Sequence, residues 1–139
     1  MNNDFSLDLG SATPIHPLGL TAPLSYLNAE DDIKFTICNG CGAANAKFKF
    51  VPDSIWGLSI TEACFIHDWM YEFGETSNDK LQADATFLLN MITLVERGNR
   101  FLRLLRRLRA LEYFGAVRDF GNDAFFTEAK IKRTGNRGN

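Results

Sequence analysis

Apolar positions in this chain recur with a helical period through its middle, and no period is sustained before it. Ser59 followed by Glu62 has the spacing of a capping box, so a helix is expected over 60–73, with Gly74 as its stop. A short polar connection follows at 75–78, where Ser77 or Asn78 suits the cap of a second helix over 79–96. Leu81, Leu88, Met91, Ile92 and Val95 form its apolar stripe. Gly98-Asn99 breaks the pattern. A third helical stretch is expected at 100–114, and a last amphipathic piece at 125–131. Pro14, Pro17 and Pro23 interrupt any period near the start, so 1–34 reads as an irregular arm, pinned by Leu18, Leu20, Leu24, Tyr26 and Leu27. A small-residue loop at 38–45 and a turn at Pro52-Asp53 separate that arm from the helices. The short connection between the first two long helices predicts an antiparallel pair in an all-α fold.

Composition narrows this picture. A chain of 139 residues, 45% of them hydrophobic, is sized for one domain with one core, so 1–139 is read as a single unit. A formal net charge of −2 makes no case for a nucleic-acid partner. The basic residues are clustered, however. Arg97, Arg100, Arg103, Arg106, Arg107, Arg109 and Arg118 mark a basic helical segment at 97–120, with no acidic residue between Arg97 and Ala110. The ordinary arrangement of such a helix places its leucines in the core and its arginines in water; a basic amphipathic helix can also dock on anionic headgroups. No run approaches the roughly 20 apolar residues of a spanning helix. The opening residues, Met1-Asn2-Asn3-Asp4-Phe5, lack the basic and apolar regions of a secretory leader. The expected location is cytoplasmic, or outside the cell by another route. An odd cysteine count (Cys38, Cys41, Cys64) argues against a disulfide-dense scaffold.

The polar residues of the two central helices carry the chemistry. His67 and Tyr71 are four apart and share a face, while Asp68 is rotated by about 100°. Asp84 falls within the apolar stripe of the next helix, where a carboxylate is costly unless something satisfies it. His67 and Tyr71, on the facing helix, are the groups able to do so. Asp84 would then fix the tautomer of His67 and leave its other nitrogen as a base. Asp68 suits a hard cation, and backbone carbonyls of the loop at 40–44 are further oxygen ligands.

Asn39-Gly40-Cys41-Gly42, then Ala63-Cys64-Phe65-Ile66-His67-Asp68-Trp69-Met70-Tyr71, with Ala83-Asp84 on the partner helix, resembles the phospholipase A2 pattern over about 38–92. The resemblance implies a calcium loop followed by an antiparallel helix pair. His67 would be the base, supported by Tyr71 and Asp84. Asp68, with the carbonyls of Gly40, Gly42 and Ala44, would hold Ca2+. The implied activity is calcium-dependent hydrolysis of the sn-2 ester of glycerophospholipids at a membrane surface, with anionic lipid met by Arg97, Arg100, Arg103 and Arg107. Family cysteines are replaced here by Ala63, Met70 and Ala83, and the loop-to-helix bridge maps onto Cys41 and Cys64. Ala43 and Ala44 stand where the family has glycine. Two other readings remain open. One is a zinc-stabilised binding module on Cys38, Cys41, Cys64 and His67, whose Cys3His spacing suits tetrahedral zinc. The other is a non-catalytic adaptor on the same helices, with His67, Tyr71 and Asp84 as a satisfied polar cluster. Trp56 and Trp69 suit either interfacial anchors or core, and His16 has no role on sequence grounds.

Overall fold

The computed structural model describes residues 16–38 and 52–126. They form an all-α arrangement with one small hairpin: α1 (Leu24–Asn28), α2 (Asp31–Ile37), β1 (Ser54–Ile55), β2 (Leu58–Ser59), α3 (Thr61–Phe73), α4 (Ser77–Arg97), α5 (Arg103–Phe120) and α6 (Asn122–Phe125). Part of the arm expected to be irregular is therefore helical. Pro23 takes the N-cap of α1 in an extended conformation, a position where its missing N–H costs nothing. No helix among the described residues is long and apolar enough to cross a membrane.

The start of α3 differs from expectation. Its N-cap is Ile60, with no side-chain cap. Ser59 is instead paired with Ser54 in the antiparallel hairpin. The hairpin turns through Trp56 and Gly57, both at positive φ (46° and 78°), as a two-residue loop that matches the right-handed twist of its strands demands. Donors from α5 satisfy its carbonyls: Arg106 Nε donates to Ile55 O at 3.3 Å and Nη2 to Trp56 O at 2.8 Å. The full capping box lies one helix later, where Thr76 and Asp79 exchange side-chain and backbone bonds at the start of α4. Gly74 does end α3, but with φ −72° rather than in the left-handed region. What it provides is room, since a Cβ there would sit 2.7 Å from the Phe125 ring. The break at Gly98 is where the sequence places it, whereas α5 begins and ends later than 100–114.

Helix α3 is buried on more than one face, with Ala63, Cys64, Ile66, His67, Asp68, Trp69, Met70 and Tyr71 all enclosed. It packs on α4 and also meets α2. On the α1 side, Trp69 stands edge-on to Tyr26 and donates from Nε1 to Ser25 Oγ at 3.1 Å. Trp69 is therefore core and Trp56 is exposed. Helix α4 packs on both α3 and α5. Its buried positions are Lys80, Ala83, Asp84, Thr86, Phe87, Asn90, Met91 and Val95. The expected stripe holds at Asp84, Leu88, Met91, Ile92 and Val95 and fails at its start, where Leu81 is exposed and Lys80 is inside. Asn90 exchanges two 2.8 Å bonds with the backbone of Thr21, fastening the N-terminal segment to α4.

Helix α5 reverses the ordinary amphipathic arrangement. Arg106, Ala110 and Val117 face inward, while Leu104, Leu105, Leu108 and Leu111 are exposed, with Phe101 beside them at 81%. Arg106 is drawn in by the hairpin carbonyls, and its register turns the leucine row to the opposite side.

Candidate active site

One turn of α3 and one turn of α4 bring the polar unit together. Residues 67 and 84 meet, as do 71 and 80, so α3 and α4 run antiparallel. His67 Nε2 lies 2.9 Å from Asp84 Oδ1. Because an ionised carboxylate only accepts, the hydrogen of a neutral His67 is on Nε2, and Nδ1 is then the basic atom of the ring. Tyr71 Oη donates to the same Oδ1 at 2.6 Å. Both His67 and Asp84 are 1% exposed. The imidazole is held between aromatic rings, its centroid 4.2 Å from Tyr71 and 4.7 Å from Phe87. Tyr71 is in turn braced edge-on by Phe125.

A fourth member was missed in the sequence. Lys80 Nζ donates to Asp84 Oδ2 at 2.8 Å, and to the carbonyls of Val117 and Arg118 at 3.1 Å each. Its spacing of four from Asp84 is a signal in itself, but an i,i+4 ion pair is usually a surface feature. Burial works to raise the pKa of Asp84. The hydrogen bonds from His67, Lys80 and Tyr71 outweigh it, and the carboxyl is held below the usual carboxylate range. Burial, then the bond to Asp84, pushes the Tyr71 hydroxyl far above its ordinary value, so it remains a donor.

Asp68 is next to His67 on α3 and nine-tenths enclosed (6% exposed). As a buried carboxylate it fits a hard cation in chemistry. The other expected ligands, Gly40, Gly42 and Ala44, lie outside the described residues, as does Cys41. Among the described residues no group of three or more His, Cys, Asp and Glu is placed to hold a metal. Cys64 is disulfide-bonded and Cys38 is a free, buried thiol. The Cys38 Sγ donates to Phe65 O at 3.1 Å, and burial, then the charges of Asp68 and Glu62, push its pKa up to about 12.

The arginines expected to meet lipid headgroups are mostly engaged within the chain. Arg97 Nη1 donates to Leu18 O. Arg107 and Arg103 both approach Glu96, at 2.6 and 3.7 Å. Arg100 lies over the ring of Phe101.

A second polar cluster, missed in the sequence, sits where the N-terminal segment meets α3. His16 Nε2 is 2.9 Å from Glu62 Oε1, and Tyr26 Oη donates to that same oxygen at 2.5 Å. The Nδ1 of His16 accepts from the backbone N–H of Leu18 at 3.0 Å. No protein-family model, no curated protein and no solved structure matches the chain.

Proposed function

We propose that this protein hydrolyses the sn-2 ester of glycerophospholipids with calcium, using water activated by His67. The observation that carries this reading is the single Asp84 oxygen that takes both His67 Nε2 and Tyr71 Oη within a buried helix pair. That arrangement orients a neutral imidazole and stabilises the imidazolium that forms when it takes a proton. Nδ1 of His67 accepts a proton from water as the water oxygen bonds to the ester carbonyl carbon. The tetrahedral adduct then collapses, the ester C–O bond breaks, and His67 returns the proton to the departing alkoxide oxygen. The products are a fatty acid and a lysophospholipid. Asp68, with loop carbonyls of Gly40, Gly42 and Ala44, would hold the calcium ion. When bound, the ion supplies charge that stabilises the developing oxyanion.

The lipid surface is met by α5. Leu104, Leu105, Leu108 and Leu111 with Phe101 form an exposed apolar row, and Arg100, Arg107 and Arg109 flank it. Hydrocarbon insertion therefore contributes more than the arginines already engaged with Glu96. The zinc reading is less favoured because a disulfide-bonded Cys64 offers no thiolate, and Cys38 holds its proton well above neutrality. The adaptor reading predicts neither turnover nor calcium dependence.

The deciding measurement is fatty-acid release from mixed phosphatidylglycerol and phosphatidylcholine vesicles, with calcium and with chelator. Calcium-dependent release that His67→Gln abolishes supports the proposal; no release with the wild type under either condition sinks it. In parallel, Leu104→Ser with Leu108→Ser should weaken vesicle co-sedimentation while leaving the fold intact.

A further inference from the structure

The proposed mechanism asks one thing of Asp84, that it stay oriented toward Nε2 of His67. A carboxylate buried on a helix turns about a broad terminal torsion, and its two oxygens are interchangeable unless each is committed. His67 and Tyr71 occupy Oδ1 only. The second oxygen is taken by Lys80, whose ammonium has three N–H donors and three acceptors: Asp84 Oδ2, Val117 O and Arg118 O. Two of those acceptors are carbonyls of the final turn of α5, where the helix dipole presents partial negative charge. A lysine that is 6% exposed is costly unless its charge and all its donors are met, and here they are.

We propose that Lys80 is the positioning residue of this site: it fixes the second oxygen of Asp84, and so the Asp84–His67 bond, by tying that carboxylate to the C-terminal turn of α5. The claim rests on the reading of His67 as the base. Lys80 touches neither water nor ester in this scheme; it acts through Asp84. Removing it frees the carboxylate to rotate away from His67, and it removes two of the polar contacts between the site and α5, leaving the longer one from Tyr71 Oη to Val117 O at 3.5 Å.

The test is made on the full chain. In the wild type, the Hε2 proton of His67 should appear as a downfield resonance protected from exchange with solvent, and the Nζ protons of Lys80 should exchange more slowly than those of surface lysines. Lys80→Met matches the chain length and removes every donor. It should lose the His67 resonance and lower kcat about 10- to 100-fold, the range typical of groups that orient a functional side chain, with KM unchanged. Lys80→Gln keeps two N–H donors and should recover part of both. A folded Lys80→Met protein that retains the resonance and the wild-type kcat overturns the proposal. If neither variant folds, the wild type decides: Lys80 Nζ protons exchanging as fast as surface ammonium groups would overturn it equally. Absence of lipid hydrolysis in the wild type would remove the enzymatic reading while leaving the resonance experiment to judge Lys80.

Discussion

Two clusters in this molecule are built from the same three kinds of side chain. His67, Asp84 and Tyr71 join α3 to α4; His16, Glu62 and Tyr26 join the N-terminal segment to α3. In each, one carboxylate oxygen takes an imidazole Nε2 and a phenol hydroxyl. Their surroundings differ. The Glu62 side chain is 31% exposed and that of Asp84 1%. Asp84 has Lys80 on its second oxygen. Nδ1 of His16 is already bound to the backbone N–H of Leu18, so its lone pair is spent on structure. A histidine, a carboxylate and a tyrosine in contact therefore do not define a base. What distinguishes the two is burial and the counter-charge on the second carboxylate oxygen.

The contrast breaks most visibly in catalysis. His67→Gln should lower fatty-acid release by about 10^2- to 10^4-fold, the usual contribution of a general base, whereas His16→Gln should keep the wild-type rate once folded. Equal losses in the two variants would erase the distinction. Stability comes next. Asp84→Ala leaves Lys80 buried without its carboxylate and should cost about 3–5 kcal/mol in urea unfolding. Glu62→Ala, at a partly exposed site, should cost about 0.5–1.5 kcal/mol.

Acid behaviour sharpens the same point. The Asp84 carboxyl is held low in the folded state, so as pH falls the unfolded chain takes up that proton first, near the ordinary value of about 3.9. The stability it contributes is present above that pH and is lost as pH drops through the lower folded value. Unfolding free energies measured across that range should show this acid limb in the wild type and a flatter one in Asp84→Asn. The phenols repeat the contrast one hydrogen bond at a time. Tyr71→Phe should cost about 1–3 kcal/mol because it strips a donor from a fully buried carboxylate, and Tyr26→Phe about 0.5–1.5 kcal/mol. Thermal unfolding of the two variants in one buffer would rank them.

The local sequence determined the central helix pair, its short connection, and the meeting of His67 and Tyr71 with Asp84. Helical spacing is a property of the backbone alone, so residues four apart share a face wherever the helix is placed. The same spacing erred at the start of the α4 stripe, setting Leu81 inside and overlooking Lys80. It left the leucines of α5 where the core was expected. On helices that carry apolar side chains on two faces, periodicity gives the period but not the side that is buried. Distant backbone decides that side: the hairpin carbonyls of Ile55 and Trp56 draw Arg106 inward, and the carbonyls of Val117 and Arg118 draw in Lys80. His16, Glu62 and Tyr26 lie 46 and 36 residues apart along the chain, and no local pattern links them. Only tertiary structure brings such groups together, because a buried charge is settled by whichever acceptors the fold delivers to it.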